Sequence, residues 1–333
     1  MPSTSISFSS PEMDRLRGYL AEKGLVLPAE PRDIQEDWSL PFVRWVVEHT
    51  TDHVECSLQP DDPPGIFIGT HRDIVCDPAL FNLARVEAGM DTTHIVLGSN
   101  LANVHWVKDL LVANKAIFID RELTGRAAME QHIGLSERIA SIVRGGGHVW
   151  IAQAPGRSKD GKDETHVGLL RMLGMAWGGE ELGAGALKGL LRPVSMRYDV
   201  NPCDALLLME KLTGRKAEGD DERSMRTGLE GWKGTVRIGE GKVVEVPDDP
   251  SREGWQTLAA GVDRAIVDLN VSGQWAAEAE AALVDGDFEG LSPAFRSRIQ
   301  WVGEHLSTLM GPLDDQVLQE GMCEIYREVT ERA

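Results

Sequence analysis

The sequence predicts an α/β fold: a mixed, mostly parallel sheet flanked by helices, with helical extensions at both ends. Three observations carry this. From residue 65 to about 240, short apolar runs of strand length alternate with amphipathic helical segments. Before and after that stretch, apolar residues recur instead at steps of three and four. Hydrophobic residues make up 42% of the 333, enough for a sizeable core, yet no run reaches the ~18–20 residues that a spanning helix needs.

Residues 11–50 read as amphipathic helices, with Leu16, Tyr19 and Leu20, then Phe42, Trp45 and Val46 on one face. The stretch Leu27-Pro28-Ala29-Glu30-Pro31 divides them, because proline fixes its backbone and lacks an N–H. Strands are expected at 65–69, 94–98, 115–119, 147–152, 191–198 and 234–239, and helices at 78–88, 103–113, 124–144, 167–177, 203–213 and 221–231. Pro193 near the start of its run suggests a sheet edge or strand start. Gly145-Gly146-Gly147 breaks the pattern, and Gly178-Gly179 through Gly189 is long enough for a mobile flap. Helical spacing returns from about 251, through Trp255, Leu258, Val262, Ile266 and Leu269, and again over 292–331. The division is therefore an N-terminal helical segment over 1–60, an α/β domain over 61–247 and a C-terminal helical appendage over 248–333. The hinge is expected at Pro247-Asp248-Asp249-Pro250.

The formal charge of −19 argues against nucleic acid, whose phosphates need a basic footprint. It also opposes broad adhesion to anionic lipid, so a membrane contact needs a local patch. Met1-Pro2-Ser3-Thr4-Ser5 lacks the basic start and apolar core of a signal peptide, so a cytoplasmic protein is expected. Cys56, Cys76, Cys203 and Cys323 are scattered with no C-x-x-C pair and read as reduced thiols. His49 and His53 lie four apart beside Glu48 and Asp52, but this is not H-E-x-x-H; a solvated helical face is the plainer reading, and no metal is expected. Trp45, Trp106, Trp150 and Trp177 read as core.

Four segments carry chemistry. After the first strand comes Thr70-His71-Arg72-Asp73-Ile74-Val75-Cys76-Asp77. Imidazole titrates near neutrality and a carboxylate can orient it, so His71 is a candidate general base with Asp73 or Asp77 as partner. Asp77, ahead of Pro78, equally suits a helix N-cap. The second segment ends Phe118-Ile119-Asp120-Arg121-Glu122, where Arg121 could grip phosphate or carboxylate in bidentate fashion, or pair with Asp120 or Glu122. The third, Gln153-Ala154-Pro155-Gly156-Arg157-Ser158-Lys159-Asp160-Gly161, sets Gly156 beside the cations Arg157 and Lys159; it is no P-loop, and a solvated surface turn is its alternative. The fourth, Arg192-Pro193-Val194-Ser195, says only that a strand is present.

Together and in this order, the four segments resemble the blocks of the glycerolipid acyltransferase family, which acts on glycerol 3-phosphate and 1-acylglycerol 3-phosphate. A divergent bacterial branch is the better likeness, through His71 to Asp77, Gln153 to Gly161, and Asp221-Glu222-Arg223-Ser224-Met225 with Gly228 to Gly234. The resemblance covers about residues 60–245. It implies that His71, oriented by Asp77 or alternatively Asp73, deprotonates an acceptor hydroxyl that attacks an acyl thioester. The donor would be acyl-CoA or acyl carrier protein, with no cofactor. Arg121, Gly156, Arg157 and Lys159 would bind the acceptor phosphate, and Arg72, Phe118 and Pro193 would line the substrate pocket. A lysophospholipid-like acceptor would allow peripheral contact with the inner face of a membrane, and Trp106 with Val107, Leu110 and Leu111 could line an acyl tunnel or touch a bilayer.

Two positions depart from the family pattern. Five residues rather than four separate His71 from Asp77, a spacing the close branch shares. Pro155 stands where the family has glutamate, removing a carboxylate and an N–H together. Gln153, Asp163 or His166 could stand in for it. The alternative function is a catalytically impaired homologue that binds lipid or acyl carrier. A serine hydrolase is disfavoured by the absence of G-x-S-x-G.

Overall fold

A computed structural model describes residues 11–59, 63–102, 105–162, 164–269 and 271–328, with backbone alone at 105–107. The N-terminal part holds α1 (Pro11–Glu22), a π-helical turn at Gln35–Ser39 and α2 (Leu40–Thr50). Met13, Leu20, Leu27 and Trp38 form a small core there, against which Phe42 and Trp45 pack. The chain continues through β1 (His53–Ser57), β2 (Ile66–Gly69), α3 (Cys76–Glu87), β3 (His94–Gly98), α4 (His105–Ala113) and β4 (Ala116–Ile119). Next come α5 (Gly125–Arg144), β5 (Val149–Ala152), α6 (Val167–Gly174), the short α7 (Gly179–Leu182), β6 (Leu191–Tyr198), α8 (Asp204–Thr213), α9 (Asp220–Glu230) and β7 (Thr235–Glu240). The last helices are α10 (Arg252–Val267), α11 (Ala276–Asp285), α12 (Pro293–Met310) and α13 (Asp315–Tyr326).

The strands form one seven-stranded sheet in the order β1-β7-β6-β2-β5-β3-β4. All neighbours run parallel except β6 and β7, so the sheet is mixed and mostly parallel, as expected. Helical crossovers cover both faces, which is why the short central strands are apolar on both sides. Ile66, Ile68, Val149 and Ile151 face a core that includes Leu135 and Ile139 of α5, Leu170 of α6 and Leu258 and Val262 of α10. Phe67, Trp150, Val194 and Met196 face the opposite core, with Leu80 and Phe81 of α3. Helices α11 to α13 pack with α8 around a separate cluster that includes Phe295, Val302 and Met322.

Several expectations need correction. The helical N-terminal reading stops at Thr50: His53–Ser57 is an edge strand paired in parallel with β7, from His53 opposite Thr235 to Ser57 opposite Gly239. That strand is mostly exposed, so no apolar alternation marks it. His49 and His53 consequently share no helix face. The His49 ring instead stacks on Trp45, 4.5 Å between centroids, and bonds the Trp45 carbonyl. The glycine-rich stretch 178–189 is no flap, because Ala184 and Leu187 are fully buried in the main core. Pro250 is packed against Gly183, where an added Cβ would lie 2.3 Å from its Cα, so the expected hinge is a packed link. Helix α10 belongs to the main core, and 292–331 divides into α12 and α13. Pro193 lies in an interior strand. Its carbonyl accepts the Gly241 N–H just past the last β6–β7 pair, Val194 with Glu240, so its missing donor falls where that ladder ends. Asp163, Trp106 and Val107 lie outside the residues whose side chains are described.

Candidate active site

Strands β6, β2, β5, β3 and β4 all end at one edge of the sheet, the place where open α/β sheets bind ligands. The loops after β2, β4 and β5 carry His71, Arg121 and the 153–161 segment to that edge. Backbone bonds fix them to one another. The N–H of Gln153 donates to the Gly69 carbonyl at 2.9 Å, and that of Ser158 to the His71 carbonyl at 3.0 Å. Arg121 Nη1 donates to the Pro155 carbonyl. A cavity of about 260 Å³ opens here, lined by His71, Gln153, Gly156, Arg157, Ser158 and Lys159 among others.

His71 is half-buried, and its Nδ1 lies 3.3 Å from the Ala154 carbonyl oxygen. A carbonyl can only accept, so this bond places the ring proton on Nδ1 and leaves the Nε2 lone pair available. Burial lowers the imidazole pKa from 6.5 to about 3, and the nearby Arg157 and Arg121 charges add to the effect. The ring is therefore neutral at physiological pH.

Neither acid hydrogen-bonds His71. Asp77 is fully buried, and its Oδ2 accepts the N–H groups of Arg72 and Asp73 at 2.7 and 3.0 Å. Its Oδ1 accepts the Tyr198 hydroxyl at 2.7 Å. Burial, then the Asp73 charge, raises the Asp77 pKa to about 7, against the pull of those three donors. Asp73 Oδ1 accepts from the N–H groups of Val75 and Cys76 at 2.8 and 2.7 Å, at the start of α3. The helix-start role offered as the alternative for Asp77 thus falls to Asp73, while Asp77 shapes the loop that carries His71.

The cations are partly engaged within the protein. Arg157 is 7% exposed, and its Nη2 donates to Ser224 Oγ of α9 at 3.0 Å. Lys159 pairs with Glu210 at 3.2 Å. Arg121 is exposed, with its guanidinium on the Pro155 carbonyl, and is not among the residues lining the cavity. A Cβ at Gly156 would meet nothing within 4 Å, so that glycine leaves room rather than filling a tight approach. Phe118 and Pro193 pack in the sheet, and Arg72 is buried with its carbonyl 3.5 Å from Asn201 Nδ2; none of the three lines this cavity.

Sequence reasoning passed over several contributors. Tyr198 lay inside a run read only as strand, and Asn100 and Lys216 each donate to Asp221, at 2.6 and 2.7 Å. Asp221 and Ser224 sat in the quoted α9 motif without a role; Ser224 anchors Arg157. His166 is exposed, with its backbone N–H on the Gln153 carbonyl. Among the described residues, no group of His, Cys, Asp and Glu could hold a metal ion.

Residues 48–176 match the family model described as Acyltransferase. The matched span contains His71, Asp73, Asp77, Arg121 and the 153–159 loop. The chain can also be superposed on the crystal structure of the 1-acyl-sn-glycerophosphate (LPA) acyltransferase PlsC from Thermotoga maritima, with a TM-score of 0.42 and 15% identity. That superposition covers 80% of this chain and 86% of the other. No curated protein matches the sequence significantly.

Proposed function

We propose that this chain is an acyltransferase carrying a fatty acyl group from acyl-CoA or acyl carrier protein to a hydroxyl of a glycerol-phosphate or lysophospholipid-like acceptor. The observation that carries the reading is His71, within the matched segment. Its Nδ1 proton is held by the Ala154 carbonyl and its Nε2 has no hydrogen-bond partner among the described residues, in a cavity it shares with Arg157 and Lys159.

In this mechanism Nε2 takes the proton of the acceptor hydroxyl as its oxygen attacks the thioester carbonyl. A C–O bond forms, the C–S bond breaks, and the proton passes from imidazolium to the departing thiolate. A thioester is already activated, so proton removal and positioning are the main demands on the protein. The Ala154 carbonyl fixes the tautomer, the task assigned to a carboxylate in the sequence reading. Arg157, Lys159 and Arg121 supply positive charge for an acceptor phosphate. A lipid acceptor would be met peripherally at a membrane's inner face; no helix among the described residues is long and apolar enough to cross one.

The test is thiol release from acyl-CoA with glycerol 3-phosphate or lysophosphatidate as acceptor. Turnover should fall about 10²–10⁴-fold in His71→Ala, the usual contribution of a positioned base. A second reading, a non-catalytic homologue that binds lipid or acyl carrier, is favoured by the engagement of both Asp73 and Asp77 away from His71. Acceptor binding without His71-dependent thiol release would select it.

A further inference from the structure

The general-base reading leaves the side chain of Gln153 unused. Gln153 follows β5, is 1% exposed and lines the cavity that contains His71. Its backbone is engaged on both sides, to Gly69 and to His166, at 2.9 Å each. Its carboxamide is not: neither Oε1 nor Nε2 has a hydrogen-bond partner among the described residues. Ser158 Oγ, on the same cavity, is equally without one. Buried polar groups are rarely left unpaired, and a rigidly mounted one beside a candidate base points to a ligand that completes it.

The chemistry of the amide narrows that ligand. A carboxamide presents a donor and an acceptor side by side. A phosphate monoester dianion offers acceptors only, and so does a thioester carbonyl. A vicinal diol offers both: one hydroxyl donates to Oε1 while its neighbour accepts from Nε2–H. The cations of the same cavity, Arg157 and Lys159, remain for a phosphate on the next carbon.

We propose that Gln153 reads a vicinal diol on the acyl acceptor and holds it toward His71. The inference rests on the acyl-transfer reading for which hydroxyl reacts, and it narrows the acceptor to a phosphorylated polyol with two adjacent free hydroxyls. A monoacylated acceptor with a single free hydroxyl leaves one end of the amide unpaired and is disfavoured. The chain thus reads its acceptor with a neutral amide two residues before Pro155, the position where the resembling family carries an acid.

Calorimetric titration with two probes tests this. One is sn-glycerol 3-phosphate; the other is 3-hydroxypropyl phosphate, which keeps the primary hydroxyl and the phosphate but lacks the secondary hydroxyl. The wild-type protein should bind the diol at least about tenfold more tightly, since a site built around a hydroxyl rejects the analogue lacking it. Gln153→Leu, and the better-matched Gln153→Met, should abolish the discrimination, leaving the two probes within about twofold of each other. Equal wild-type affinities, no binding of either probe at millimolar concentration, or discrimination that survives both substitutions would each overturn the proposal. Thiol release is measured on the same preparations. His71-dependent acylation without diol discrimination sinks this inference and spares the acyltransferase reading; discrimination without turnover does the reverse.

Discussion

His71 takes its tautomer from a backbone carbonyl, and its low pKa follows from burial, with the Arg157 and Arg121 charges adding to it. That placement has a consequence for stability with a definite sign. The folded-state pKa of about 3 lies below the ordinary 6.5, so the contribution is full above pH 6.5 and is lost as pH falls toward 3. Each unit is worth about 1.4 kcal/mol before solvent screening of a half-buried ring reduces it. Asp77 works in the opposite sense: raised to about 7 from 3.8, it favours the fold at acid pH and loses that contribution as pH rises through 7. A comparison of variants therefore isolates the histidine. Between pH 7 and pH 4, urea unfolding should show the wild type losing on the order of 2 kcal/mol more than His71→Gln. Parallel losses in the two proteins would show that the ring is not desolvated. The sequence marked His71, Arg121 and Arg157 because their residue types carry the chemistry on their face. It could not rank Asp73 against Asp77, since that choice depends on which loop N–H groups each carboxylate meets, and Tyr198 joins Asp77 from a strand far along the chain.

At the scale of elements, α9 is the wall that holds the histidine loop in place. An added Cβ at Gly228 would lie 2.3 Å from Asp73 Oδ2, Cys76 Sγ donates to the Gly228 carbonyl at 3.3 Å, and Ser224 receives Arg157. Glycine inside a helix normally costs about 1 kcal/mol against alanine, so Gly228→Ala would stabilise an unconstrained helix. Here the methyl group must displace a carboxylate that caps the start of α3, and the expected result is a loss of about 1–3 kcal/mol. Thermal unfolding followed by circular dichroism decides it; a raised midpoint would show that the helix and loop do not bear on each other. Helix α9 was legible because its sequence carries its own periodicity. Strand β1 was not, because the ladder that orders it is supplied by β7, and the stretch around Ala184 was misread because small residues that pack into a core have the composition of a loop.

At the scale of the whole molecule, the C-terminal helices brace the candidate site. Arg327 Nε donates to the Asp160 carbonyl at 2.8 Å, and an added Cβ at Gly161 would lie 2.2 Å from the Arg327 carbonyl oxygen. The loop bearing Arg157 and Lys159 thus leans on the end of α13. That helix is held by a buried polar knot at the start of α8. Asp204 accepts two bonds from Arg298 of α12, at 2.8 and 2.7 Å, and a third from the Tyr326 hydroxyl at 2.8 Å. Trp275, Phe295 and Tyr326 pack ring on ring beside it, with centroids 4.8 to 5.3 Å apart. The helical spacing past residue 251 announced these helices, but not that α10 joins the main core while the end of α13 meets the loop at Asp160 and Gly161. Removing one partner of a buried pair leaves the other charge uncompensated, at about 3–5 kcal/mol. Arg298→Met should therefore lower the unfolding free energy by about that amount, and Asp204→Asn/Arg298→Met by less, because no bare carboxylate remains. Hydrogen exchange supplies the functional half of the test. In the single variant, amides of 156–162 should exchange faster while those of β2 and β5 hold their protection; a destabilised protein whose 156–162 amides are unchanged would show that the knot stabilises the helices without reaching the site.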